Sequence, residues 1–80
     1  MNNEELYAKL NEVFREVFDD ESITVTNVTT ADDIEDWDSL EYINLIVAIE
    51  KKFGIKFNMG EVNSFKNVGE MAGSIVSKLA

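Results

Sequence analysis

Three stretches of this 80-residue sequence repeat apolar side chains at spacings of three and four, which is the period of an α-helix. They cover residues 6–18, 39–53 and 68–79, and a shorter stretch lies at residues 58–65. Each stretch has one apolar face, so the helices must pack on one another to bury it. The pattern predicts an all-α fold in one domain, residues 1–80. We expect a small four-helix bundle of three main helices and one short helix, with a long loop between the first and second helices.

The same spacing predicts which side chains face the interior. In the first helix these are Leu6, Leu10, Val13, Phe14, Val17 and Phe18. In the second they are Ile43, Leu45, Ile46, Ile49 and Phe53. The short helix contributes Met59, Val62 and Phe65, and the last helix Val68, Met71, Ala72, Ile75, Val76 and Leu79. Asp38 and Gly54 are the residue types that begin and end a helix, which places the second helix at residues 39–53.

The connection between the first two helices comprises residues 19–38, and connections without secondary structure longer than about 12–15 residues are uncommon in compact domains. Connections of this length are often functional. Its apolar residues are expected to hold it on the bundle; they are Ile23, Val25, Val28 and Ile34. Residues 23–26 alternate like a strand, but no partner strand is predicted, so we expect a loop.

Charge is unevenly distributed along the chain. Residues 1–41 contain 13 acidic and two basic side chains, a net charge of −11, whereas the remainder has three acids and five lysines, a net charge of +2. Nucleic acid and anionic membranes would be repelled by the first half, and partners with basic surfaces would be attracted to it. The acidity is equally compatible with a role in solubility alone. With no signal peptide and no apolar run that could span a bilayer, we expect a soluble, cytoplasmic monomer without stable membrane insertion.

The chain contains no cysteine and no histidine. It therefore has no disulfide, no thiolate metal site and no histidine general base. The acids around Asp32 and Asp38 do not match the spacing of a calcium-binding loop, so no metal ligand is assigned. A domain of this size also has little room for a substrate cleft. The sequence predicts a non-catalytic protein.

Asp36-Trp37-Asp38-Ser39-Leu40 is the motif with the clearest chemical potential. Ser39 falls in the first turn of the second helix, where free backbone N–H groups and the positive end of the helix dipole suit a phosphate ester. The preceding loop would leave its hydroxyl accessible to a modifying enzyme. On these residues alone, an Asp-Ser pair that only caps a helix is the simpler interpretation.

Residues 38–53, DSLEYINLIVAIEKKF, strongly resemble the acyl carrier protein family, in which Asp-Ser-Leu opens the second helix. The resemblance continues through residues 54–57 and the short third helix to Val68, and it extends to chain length, acidity and helix order. It implies that Ser39 carries 4′-phosphopantetheine, attached from coenzyme A by a phosphopantetheinyl transferase. The arm would hold acyl intermediates as thioesters for partner enzymes of fatty acid, polyketide or related biosynthesis.

The resemblance also implies a docking face and a pocket. The docking residues would be Asp38, Leu40, Glu41, Asn44, Val47 and Ala48, facing enzymes with basic docking surfaces. A possible acyl pocket between the second and third helices would be lined by Ile43, Met59, Val62, Phe65 and Ala72, although apolar residues at these spacings are also typical of plain core.

Two departures from the family pattern stand out. Lys51 and Lys52 occupy the end of the second helix, which is acidic in many members, so the acidic contact should shift towards the loop and Glu41. Asp36 stands where a glycine is often found, and it can adopt the left-handed backbone conformation that glycine favours. Two alternatives remain open. One is an unmodified helical interaction module using the same face, and the other is a peptidyl or aminoacyl carrier.

Overall fold

Four α-helices make up the fold in the computed structural model, which describes residues 2–79. Their bounds are α1 Asn3–Val17, α2 Ser39–Phe53, α3 Met59–Ser64 and α4 Val68–Leu79. A single turn of 3₁₀-helix, Ala31–Asp33, lies within the α1–α2 loop. Residues 2–79 contain no β-strand. The predicted all-α bundle of three main helices and one short helix is confirmed.

Helix ends follow the local capping chemistry. The side-chain oxygen of Asn2 accepts the N–H of Glu5 at 2.9 Å, and Asp38 accepts the N–H of Glu41 at 2.8 Å. Each bond satisfies one of the free donors at a helix start. Gly54 ends α2 in the left-handed conformation, with φ 68°. These local signals explain why the bounds of α2 coincide with the predicted residues 39–53.

The core lies between α1, α2 and α4, and α1 packs directly on α2. The largest fully buried side chains are Phe14, Leu10, Leu45, Ile49, Met71, Ile75 and Val68. All seven belong to the predicted apolar faces. Burial of this surface supplies the main driving force for folding of the bundle.

Several residues predicted to face the interior lie at the surface instead. Ile43 is 56% exposed and Met59 is 66% exposed. Successive helix residues rotate by about 100°, which places Ile43 about 110° from the centre of the buried face of α2. Met59 is the first residue of the six-residue α3, from which only Val62 is buried. Three further residues predicted to pack inwards, Val76 and Leu79 in α4 and Val28 in the loop, are exposed as well.

The α1–α2 loop is held on the bundle by polar contacts as well as by apolar ones. Val25 is buried, and its N–H donates to the side chain of Asn11 at 2.6 Å. Further along, the carbonyls of Thr29 and Asn27 accept the N–H groups of Val68 and Gly69 at 2.8 and 3.0 Å. The loop carbonyls therefore cap the start of α4. These hydrogen bonds also fix the path that the loop takes towards Ser39.

Candidate functional site

Ser39 is the first residue of α2, and its side chain is exposed. Its hydroxyl makes no hydrogen bond with any residue from 2 to 79, and the N–H groups of Ser39 and Leu40 likewise have no partner in that range. The next two N–H groups, of Glu41 and Tyr42, are satisfied by the side chain and the carbonyl of Asp38 at 2.8 and 2.9 Å. The site therefore combines a free hydroxyl with two free donors at the positive end of a helix dipole.

Trp37 anchors the chain immediately before this site. Its ring packs edge-on against Phe14 with the centroids 5.4 Å apart, and it lies 6.1 Å from Phe18 and 5.8 Å from Tyr42. Aromatic pairs at such separations add to the stabilisation from burial. Trp37 thus connects α1 to the start of α2, and the position of Ser39 is fixed by the core even though its side chain faces outwards.

Carboxylates surround the start of α2. Glu35, Asp36 and Asp38 are exposed, and Glu41 is half-buried one turn further on. Together with three residues at the end of α1 they line a shallow depression of about 410 Å³; these are Val17, Phe18 and Asp19. Asp36 does not adopt the left-handed backbone conformation considered for it, because Asp19, with φ 50°, is the one non-glycine residue among 2–79 with a positive φ. The electrostatic potential around the start of α2 is therefore negative, and it attracts basic groups.

The residues predicted for docking share the outer side of α2. Leu40 is 67% exposed and Val47 is 44% exposed, Asn44 is exposed between them, and Glu41 and Ala48 are half-buried at the edge. Asn44 donates to the carboxylate of Glu41 at 3.3 Å. Ile43 joins this surface, although the sequence predicted it to be buried. The structure places these side chains together, and their role in docking remains a proposal.

The residues predicted to line an acyl pocket are dispersed. Ile43 and Met59 lie at the surface, whereas Val62 and Ala72 are packed into the core. Phe65, half-buried, is the one of the five that lines a small cavity of about 110 Å³ beside α2. The other residues around this cavity are Ala31, Trp37, Tyr42, Lys66, Asn67 and Met71.

Two side chains that the sequence analysis did not single out, Tyr42 and Glu61, hold α3 to its neighbouring helices. The Tyr42 hydroxyl donates to the carbonyl of Val62 at 2.6 Å and so ties α2 to α3. Burial raises the pKa of Tyr42, which keeps this donor protonated. Glu61 accepts from Asn58, Ser74 and Lys78 at 2.9–3.1 Å. Only the Asn58–Glu61 spacing, typical of a capping box, could have indicated part of this network.

The Ser39 hydroxyl is exposed, and no side chain among residues 2–79 is positioned to activate it. The chain has no histidine, and the Ser39 hydroxyl has no hydrogen-bonded base within residues 2–79. Over that part of the chain, no three acidic side chains are grouped as metal ligands. None of the helices described is long and apolar enough to cross a membrane.

Comparison with known proteins finds a matching family model, a similar protein and a similar solved structure, and the three agree with one another. Residues 5–75 match the family model described as a phosphopantetheine attachment site. The chain is 31% identical over 77 residues to an acyl carrier protein of Acidothermus cellulolyticus, an alignment that covers 96% of this chain and 92% of that protein. It is also similar to the solution structure of a holo acyl carrier protein from Geobacter metallireducens, with a TM-score of 0.87 and 47% identity over 92% of this chain and 85% of that one.

Proposed function

This chain belongs to the acyl carrier protein family, and we propose that Ser39 is the residue on which its 4′-phosphopantetheine arm is attached. The observation that carries the assignment is the state of the serine hydroxyls. Within the matched residues 5–75, the hydroxyls of Ser22, Ser64 and Ser74 all donate hydrogen bonds to acidic residues or a backbone carbonyl. Ser39 is the serine of that range whose hydroxyl is both exposed and free of such a bond.

The surroundings of Ser39 fit a phosphodiester. The two unpartnered N–H groups and the helix dipole favour negative charge at this position. The carboxylates of Glu35, Asp36 and Asp38 oppose it, so the phosphate is expected to stay at the surface in contact with water rather than being drawn into the protein. When attached, the arm supplies a terminal thiol, a group that this cysteine-free chain cannot supply itself.

Attachment requires a separate enzyme. The Ser39 hydroxyl must lose its proton as it forms the new ester bond, and none of residues 2–79 places a base within hydrogen-bonding distance of it. A phosphopantetheinyl transferase would provide that base. As the Ser39 oxygen bonds to the phosphorus that carries the pantetheine, the pyrophosphate bond of coenzyme A breaks and adenosine 3′,5′-bisphosphate leaves. The carboxylates around the site would attract a transferase, or an acyl-transferring enzyme, that presents basic side chains. The chain itself acts as the carrier and performs no chemical step.

The decisive experiment is intact-mass measurement of the apo chain before and after incubation with coenzyme A and a broad-specificity phosphopantetheinyl transferase. The wild type is expected to gain one phosphopantetheine and Ser39→Ala none. Ser77→Ala, which removes another exposed hydroxyl without a hydrogen bond to residues 2–79, is the matched control and should be modified fully.

Ser39→Ala should lose attachment without losing the fold. The side chain is exposed and its hydroxyl has no partner within residues 2–79, so we expect the free energy of unfolding to change by less than about 0.5 kcal/mol. Urea unfolding followed by circular dichroism measures this change. If folded wild-type protein gains no mass with two different transferases, the assignment is wrong, and an unmodified interaction module becomes the better account.

A further inference from the structure

A stripe of exposed side chains runs along the whole outer side of α2. Leu40, Val47 and Lys51 stand seven and four residues apart, spacings that put them on one face of a helix. Ile43 and Asn44 fill the interval between the first two, and all five side chains are exposed. At a rise of about 1.5 Å per residue, Leu40 and Lys51 are separated by about 16 Å along the helix axis. The stripe is therefore long enough to contact a partner at two separate points.

The two ends of the stripe carry opposite charge. At the Ser39 end the exposed carboxylates are those of Glu35, Asp36 and Asp38. At the other end Lys51 is exposed and forms neither an ion pair nor a hydrogen bond with residues 2–79. A cation at this position interacts favourably with the negative end of the helix dipole. Between the ends, the apolar side chains of Leu40, Ile43 and Val47 offer a surface that association would bury.

The residues next to Lys51 are already engaged with the protein itself. Glu50 accepts the N–H of Phe57 at 2.8 Å, so its carboxylate is directed to the chain after α2. Lys52 forms an ion pair with Glu12 of α1 at 2.8 Å, and this contact raises the pKa of Lys52 and lowers that of Glu12. Lys51 is thus the cation at this end that lies on the stripe and has its charge available to a partner.

We propose that Lys51 is a specificity-determining residue of the docking surface, which selects enzymes that present a basic group near Ser39 and a carboxylate about 16 Å further along α2. An enzyme with basic groups along its entire contact surface would be attracted by the carboxylates near Ser39 and repelled by Lys51. Charge patterns of this kind discriminate between partners because a like-charge contact counts against the wrong one. The inference rests on the carrier function proposed above and deepens it by stating the chemistry of the partner.

The test uses transfer of phosphopantetheine to the apo chain by a broad-specificity transferase whose docking surface is basic throughout. KM and kcat are measured for the wild type, Lys51→Glu and Lys56→Glu at an ionic strength of about 0.15 M, where charges away from the contact are largely screened. Lys56 is an exposed lysine beyond the end of α2, so its reversal makes the same change in net charge away from the stripe. We expect Lys51→Glu to lower KM by about threefold or more, as the reversal of one exposed contact would. KM of Lys56→Glu should stay within about 1.5-fold of the wild type at matched ionic strength.

A second set of measurements reverses charges on the transferase instead of on the carrier. Single basic residues of the transferase docking surface are changed to glutamate, and each variant is assayed with the wild type and with Lys51→Glu. For one of these transferase variants, the order of the two KM values should invert, so that the wild-type carrier has a lower KM than Lys51→Glu. Equal KM values for the Lys51→Glu and Lys56→Glu chains, or no position that inverts the preference, would overturn the inference while leaving the carrier function intact. If no folded chain is modified at all, the carrier function itself fails.

Discussion

Asp38 has two physical roles at the start of α2, and they can be separated. Its side chain accepts the N–H of Glu41 at 2.8 Å, which caps the helix, and its charge contributes to the acidic field around Ser39. Asparagine caps a helix about as well as aspartate but has no charge, whereas alanine removes both functions. The two substitutions therefore distinguish a structural contribution from an electrostatic one.

Asp38→Ala should lower the free energy of unfolding by about 1 kcal/mol, whereas Asp38→Asn should change it little. Both substitutions remove a negative charge next to Ser39, so both should raise KM for the basic transferase. Urea unfolding and transfer kinetics measure the two effects separately. A transfer defect confined to Asp38→Ala would show that the cap, rather than the charge, is what the enzyme requires.

At the scale of the helices, α3 is the element most dependent on one side chain. It has six residues, too few to be stable as an isolated helix. Glu61 completes its capping box with Asn58, and the same carboxylate accepts from Ser74 at 3.1 Å and from Lys78 at 2.9 Å. One carboxylate therefore fastens the start of α3 and joins it to α4.

Glu61→Gln should lower the melting temperature at neutral pH. It should also make the melting temperature less dependent on pH in the acid range. The N–H of Asn58, then Lys78 and Ser74, hold the pKa of Glu61 below its ordinary value of 4.5. A carboxyl whose pKa is lowered on folding stabilises the protein above its unfolded pKa, and this contribution is lost as the pH falls through the folded value. The melting temperatures of wild type and variant should therefore converge as the pH is lowered below 4.5.

Thermal melts from pH 7 down to the acid limit of folding check this prediction. Glu21→Gln serves as the control, because Glu21 lies on an exposed turn and its side chain makes no hydrogen bond within residues 2–79. It removes the same charge without touching α3. A constant difference between wild type and Glu61→Gln at all pH values would contradict the role assigned to the carboxylate.

The two glycines of α4 should respond in opposite directions to alanine. A Cβ on Gly69 would come within 2.6 Å of the Asn27 carbonyl oxygen, the atom that accepts the Gly69 N–H. Gly69→Ala should therefore push the loop away and destabilise the fold. A Cβ on Gly73 meets nothing within 4 Å, so Gly73→Ala should stabilise by roughly 0.5–1 kcal/mol through helix propensity alone. Urea unfolding measures both, and a stable Gly69→Ala protein would contradict the close packing of the loop.

The helices could be predicted from sequence because their signals are local. The apolar repeat, Asp38 before α2 and Gly54 after it lie within a few residues of the boundaries that they determine. The contacts that connect the elements depend on the path of the chain instead. Lys78 reaches Glu61 across 17 residues, and the loop carbonyls that cap α4 come from about 40 residues earlier, so the sequence contained no local pattern for either.

The candidate site was predictable to a similar extent. The resemblance to a known family indicated Ser39 and the outer face of α2. The predicted pocket lining depended on the rotation of α2 and the length of α3. Ile43 and Met59 are apolar residues at acceptable spacings, and their exposure is decided by how the helices pack. Apolar periodicity cannot distinguish an interior position from the edge of a docking surface.

At the scale of the whole molecule, the excess of negative charge should limit stability at low ionic strength. The net charge is −9, and the two ion pairs between side chains of residues 2–79 engage Glu12 and Glu61 only. Self-repulsion of this kind destabilises a compact state and is reduced by counterions.

Millimolar Mg²⁺ or Ca²⁺ should therefore raise the melting temperature by a few degrees, through general binding to the acidic surface. No three acids within residues 2–79 are arranged as a metal site, so the two ions should act almost equally and added NaCl should reproduce most of the effect. Thermal melts in the three salts make the comparison. A melting temperature unchanged by any of them would contradict self-repulsion as a source of instability.

The aromatic contact between Trp37 and the end of α1 makes the molecule its own optical label. Trp37 is the sole tryptophan of the chain, it stands two residues before Ser39, and its indole rests on Phe14, Phe18 and Tyr42. Any event that lifts the loop would transfer this ring into water and shift its fluorescence emission to longer wavelength. Global unfolding, and any movement of the loop that accompanies loading of the arm or docking of an enzyme, can thus be followed through Trp37 without an added label.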